Sequence, residues 1–269
     1  AALRLRSTCA ILTRKFDGNG ERVLKTKSGF SWGNFLRNLA VIAIPVALQN
    51  LLTTTGSMVD TMMIAPLGET SVGAVGLCAQ FSSLMFSGYW GFVGGGMLFF
   101  SQYWGAKDED GIDRSFGLTL VCMLASASIF TGLALLAPEL VMRIYTDKTA
   151  IQAIGVDYLR IVGFAYPMQV ISMAMSALLR STERVRIPLF AAIASVATNM
   201  GLNWVFIYGK FGLPAMGVRG AALATILSQF LSFAFVFVFL LLKNTKIRLS
   251  FGGYSAKVIG KMFRLGLSP

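Results

Sequence analysis

The chain has 269 residues, of which 55% are apolar and only 13% charged, with a formal net charge of +12 and a mean hydropathy of +0.67. A soluble chain carries roughly a quarter charged residues, so this composition excludes an ordinary soluble domain and points to a bundle of bilayer-spanning helices. The basic excess does not mark a nucleic-acid binder, because Lys and Arg flank apolar runs instead of forming a face, and the absence of histidine excludes histidine metal sites and Ser-His or Cys-His nucleophiles.

Residues 1–34 are polar and basic and read as a cytoplasmic tail. Residues 35–243 follow as a six-helix transmembrane lobe, since each span needs about 20 apolar residues. The expected spans are Leu36 to Leu67 (with Pro45 inside), Val72 to Trp104, Phe116 to Leu136, Ile154 to Leu179, Pro188 to Tyr208 and Ala221 to Leu242. Residues 244–269 read as a cytoplasmic linker and the start of a second lobe, with a seventh span opening at Val258. The three cysteines, Cys9, Cys78 and Cys122, are too scattered for a disulfide framework.

Most basic residues fall in segments on one side of the alternating spans, so the positive-inside rule puts the amino terminus in the cytoplasm and the protein in the cytoplasmic membrane. No basic residue is expected in mid-span. A basic lead-in before an early proline occurs twice, at Phe35–Pro45 and at Met262–Pro269. Duplicated halves are common in transporters, so the expectation is one six-helix repeat followed by the first residues of another, in a chain that is part of a longer protein.

Asp60 is the one acid inside an apolar run, and charge at membrane depth usually faces a cavity and works. Gln49, Thr53, Gly56 and Asp60 recur at intervals of four, three and four, which puts them on one helical face. Asn199 and Asn203 share a face of the fifth span and Thr225 lies on the sixth. Their oxygens suit a hard cation, or equally interhelical hydrogen bonding. Gln169, Ser172 and Ser176 form a further stripe, as do Gln80, Ser83 and Ser87. Neighbouring methionines and aromatics, including Phe86, Tyr89 and Met173, suit flat or cationic molecules.

Several stretches in order resemble the multidrug and toxic compound extrusion (MATE) family: Ile44-Pro45 to Gln49, Val59-Asp60-Thr61 to Leu67-Gly68, Gln102 to Asp108, Ala177 to Thr182, Asn199 to Gly209, and Gly217 to Thr225. The resemblance covers about Phe35 to Pro269. It implies an all-α transporter of two six-helix lobes that exports organic cations, drugs or metabolites in exchange for H+ or Na+, with no cofactor and no enzymatic activity. It further implies an ion site at Asp60, Asn199, Asn203 and Thr225; Asn203 stands where one branch of the family has Asp, which leaves H+ and Na+ both open. The substrate cavity is expected to be lined by Gln49, Thr53, Asp60, Gln80, Gln169, Ser172 and Asn199. Expected partners are small organic cations, the bilayer and the second lobe. Alternative readings are a lipid-linked oligosaccharide flippase of the same superfamily, disfavoured by the lack of mid-span cations, and a non-transporting half-protein or scaffold.

Overall fold

The computed structural model describes residues 32–242. The basic tail up to residue 31, the linker and the opening of a seventh span lie outside the described residues. The described residues are mostly helical, with no strand among them: α1 Trp32–Ile64, α2 Glu69–Ala106, α3 Glu109–Leu136, α4 Pro138–Tyr145, α5 Thr149–Val162, α6 Ala165–Ser181, α7 Arg186–Tyr208 and α8 Val218–Leu242. Helices satisfy their own backbone in lipid, which offers no hydrogen-bond partner. Five of them (α1, α2, α3, α7 and α8) are long and apolar enough to cross a membrane, and the bent pair α5 and α6 makes up the sixth span. The chain is an all-α, multi-pass membrane bundle.

Two compact units are present, residues 1–43 and 44–269. In the first, Trp32 and Phe35 meet edge to face at 6.1 Å. All other contacts described here belong to the second.

The fourth expected span is broken, which corrects the reading of one helix over Ile154 to Leu179. α5 and α6 meet at 52° across Gly163 and Phe164. Pro167, in the first turn of α6, has no N–H to give Gly163 and its ring crowds that carbonyl, so a straight helix cannot run through. Gly163 is also pinned: a Cβ there would lie 3.0–3.1 Å from Leu135 and Ala134 of α3. The short α4 was not expected. Pro138 opens it, and it buries Val141 and Met142 while exposing Leu140 and Ile144. α3 begins seven residues earlier than Phe116, because Asp108 accepts the Gly111 N–H at 2.9 Å as an N-cap and Glu109 and Asp110 complement the helix dipole.

The core lies where α2, α3 and α6 meet. Phe100 and Phe116 pack at 6.1 Å, and Phe81 meets Phe130 at 5.4 Å. Met85, Tyr89, Met123, Val170 and Leu178 are fully buried around them. Ser82 shares a 3.0 Å hydrogen bond with the Tyr166 hydroxyl, joining α2 to α6. α7 and α8 run against each other through small residues, Ala221, Ala222 and Ala224. Gly220 allows the closest approach, since a Cβ there would fall 2.7 Å from the Phe206 backbone. The turn after α7 depends on Gly209, which adopts φ +66° and would place a Cβ 2.5 Å from the Ala215 nitrogen.

Candidate functional site: a polar cavity between α1, α6, α7 and α8

A cavity of about 310 Å3 opens between α1, α6, α7 and α8, closed on one side by Phe86 and Tyr89 of α2. Its volume lies at the small end of the range for organic ligands. α1 supplies Gln49, Thr53, Gly56, Ser57 and Asp60, so the spacing of four, three and four does align these side chains on the cavity. α1 comes close to α7 at Gly56, where a Cβ would meet Val196 at 3.2 Å.

Asp60 is the only acidic residue among those lining the cavity. It is not free: the Asn203 amide donates to its Oδ1, and the same amide donates to Asn199 Oδ1 at 3.2 Å. Asn203 itself is fully buried behind the cavity wall and does not line it; its own Oδ1 has no hydrogen-bond partner. Asn199 and Thr225 do line it. The Thr225 hydroxyl gives its proton back to the Ala221 carbonyl at 3.0 Å, and the Thr53 hydroxyl does the same toward Asn50 at 2.9 Å. Both oxygens therefore present lone pairs and no proton. Asp60, Asn199 and Thr225 thus line one cavity with oxygen-bearing side chains, and Asn203 stands behind them as a donor to Asp60 and Asn199. Among the described residues no cluster of three or more Asp, Glu, Cys or His exists that would hold a multivalent metal.

Gln169, Ser172, Met173 and Ser176 line the α6 wall. Gln80 does not reach the cavity, contrary to expectation, and neither do Ser83 and Ser87. α2 buries the register Cys78, Phe81, Met85 and Tyr89, and Gln80, two residues on from Cys78, projects about 200° away around the helix, on an exposed face.

Other lining residues escaped the sequence reading. On α8, Ser228, Gln229 and Ser232 continue the stripe begun by Thr225, at three, four and seven residues from it. That periodicity was present to be read. Ser195 precedes Asn199 by one turn of α7. Tyr158 of α5 is buried and does not line the cavity. The most consequential is Arg180, in the last turn of α6. Basic residues were expected only at the membrane edges, yet Arg180 lines the cavity and donates from Nη2 to Gln49 Oε1 at 3.0 Å. Its long side chain carries the charge back from the helix end into the cavity.

Residues 45–205, more than half of the chain, match the MatE family model. The chain is 27% identical over 205 residues to the probable multidrug resistance protein YoeA of Bacillus subtilis, covering 76% of this chain and 44% of that protein. It is 28% identical over 211 residues to the probable multidrug resistance protein NorM of Neisseria meningitidis serogroup A, covering 73% and 44%. The solved outward-facing form of a multidrug resistance MATE family transporter of the MOP superfamily superposes with a TM-score of 0.76 at 23% identity, over 86% of this chain and 51% of that one. The chain spans about half the length of the curated relatives it matches.

Proposed function

Because the chain belongs to the MatE family, we propose that it is the first lobe, residues 35–243, of a two-lobed secondary transporter that exports organic cations in exchange for H+ or Na+. The amino-terminal tail lies in the cytoplasm, the protein sits in the cytoplasmic membrane, and the second lobe completes the pathway. The observation that carries this reading is Asp60: one carboxylate, in a cavity of otherwise uncharged acceptors at membrane depth, held by the Asn203 amide.

Asp60 alternates between a charged state and a neutralised one. As a free carboxylate it attracts a cationic substrate, and the Asn203 amide stabilises that charge by hydrogen bonding. When a proton or Na+ neutralises it, the attraction is lost and the substrate leaves. Drug and ion then exclude one another, which is antiport. The relatives' names as multidrug resistance proteins support a broad organic substrate. Phe86 offers an exposed aromatic face for a flat cation, worth ~0.5–2 kcal/mol.

The test is efflux of a cationic dye by the full-length transporter in vesicles, under imposed pH and Na+ gradients in turn. The native protein should respond to one of the two gradients, which names the coupling ion. Asp60→Asn should abolish that response; an undiminished gradient-driven efflux by this variant would remove Asp60 from coupling.

A further inference from the structure

Among the described residues, α4 is the one α-helix that neither crosses a membrane nor forms half of a bent span. Its side chains divide around the axis into three sectors, at about 100° per residue. Val141, Met142 and Tyr145 turn to the protein, the first two buried and the third packed against the core. Glu139 and Arg143 occupy a second sector and are exposed, with Glu139 holding Arg160 of α5 at 2.5 Å. Leu140 and Ile144 fill the third, about 40° apart, and are 56% and 76% exposed. A helix on the surface of a soluble protein has one apolar face and one polar face. α4 has a second apolar face left over after the protein has covered the first. Met142 also lies over Gly155 of α5, where a Cβ would collide with it, so α4 is keyed to the span that follows.

The uncovered face is continuous with a surface that meets lipid. The outward side of α3 shows Val121, Ile129, Leu133 and Leu136, the last 87% exposed, while Met123, Ala127 and Ala134 are buried. α3 is long and apolar enough to cross a membrane, so this side lies against acyl chains. Leu136, Leu140 and Ile144 follow at steps of four residues across Ala137, where the helix breaks, and so carry that surface on into α4. The turn between α7 and α8, at the same end of the bundle by the order of crossings, has the chemistry of a membrane interface. Phe211 is 84% exposed, its ring meets Trp204 at 5.9 Å, and Lys210 lies 5.8 Å over the Trp204 ring. Exposed aromatics beside a lysine belong at the level of the headgroups. We infer that α4 is an interfacial helix whose partner is the lipid leaflet at this end, with Leu140 and Ile144 among the upper acyl chains and Glu139 and Arg143 at the headgroups. With the amino terminus in the cytoplasm, that leaflet is the outer one. The inference needs only the membrane bundle and stands apart from what the cavity carries.

The test places a fluorophore on two neighbouring positions of α4. Full-length transporter carrying Ile144→Cys or Arg143→Cys is labelled with the polarity-sensitive dye NBD and reconstituted in phosphatidylcholine nanodiscs, which leave both faces open to water. Signal from the parent protein labelled in the same way is subtracted. Three quenchers are compared: phosphatidylcholine with a nitroxide high on the acyl chain, the same lipid with the nitroxide near the chain end, and aqueous iodide. The shallow nitroxide should quench position 144 about threefold more than position 143, and iodide should show the reverse order. Leu140→Cys should behave as Ile144→Cys and supplies the measurement if that variant does not fold. Equal quenching of both positions by iodide, with no effect of either nitroxide, would put α4 in water and overturn the inference. Shielding of position 144 from all three quenchers would mean that protein covers it, the second lobe or a second copy, and would overturn it equally. Stronger quenching by the deep nitroxide than by the shallow one would bury the helix in hydrocarbon and remove it from the interface.

Discussion

The α1 segment from Pro45 to Ile64 and the block formed by α2, α3 and α6 are held in opposite ways. The block is packed: Phe100, Phe116, Met85, Met123 and Leu178 are buried almost completely, and aromatic rings of α2 touch rings of both α3 and α6. Along this segment of α1 only Ile64, at its end, is buried. What holds the segment is a short series of polar tethers, namely Gln49 to Arg180, Asp60 to Asn203, and the Tyr208 hydroxyl to the Met63 carbonyl at 2.9 Å. Packing energy is spread over dozens of atom pairs and disappears only when the block comes apart. A tether contributes about 0.5–1.5 kcal/mol and can be exchanged for a bond to water, ion or substrate. An element held by exchangeable bonds can respond to an ion, whereas a packed block provides the frame against which it responds.

Four substitutions sharpen this contrast, each read by thermal unfolding of the purified full-length protein and, for α1, by dye binding. Phe100→Ala should be the most damaging, at about 3–5 kcal/mol, because it empties a buried site between α2 and α3. Gly220→Ala should cost about 1–3 kcal/mol by forcing α8 off the Phe206 backbone, which cannot yield as a side chain can. Tyr208→Phe should cost only ~1 kcal/mol of stability, while altering dye affinity through the released end of α1. A loss in Tyr208→Phe as large as in Phe100→Ala would show that α1 is part of the frame after all. Arg219→Ala, which breaks an exposed 2.7 Å pair with Asp157, should cost ~0.5 kcal/mol or less.

The spans were legible because hydropathy alone reports them, and Asp60 was legible because a carboxylate in an apolar run has few explanations. The α1 stripe could be read because helical periodicity converts spacing into a face. The same rule was available on α8, where Ser228, Gln229 and Ser232 follow Thr225, and Gly163 with Pro167 signalled the break in the fourth span. Those two were missed although the residues state them. Gln80 and Arg180 are of another kind. Which face of α2 turns inward depends on what α3 and α6 present to it. Whether a long arginine points to headgroups or into a cavity depends on where Gln49 of a distant helix comes to lie. These are properties of the assembled bundle, beyond the reach of local pattern.

The joint at Gly163 and Phe164 has a consequence for size. α6 carries the Gln169, Ser172, Ser176 and Arg180 wall of the cavity, facing Asp60 on α1, while α5, the other arm of the bent span, carries the buried Tyr158. With Gly163 lodged against Ala134 and Leu135, α3 serves as the fulcrum. A few degrees of change in the 52° bend moves the α6 wall of the cavity relative to α1. The room the cavity offers then depends on one angle, independently of the chemistry of the residues that line it.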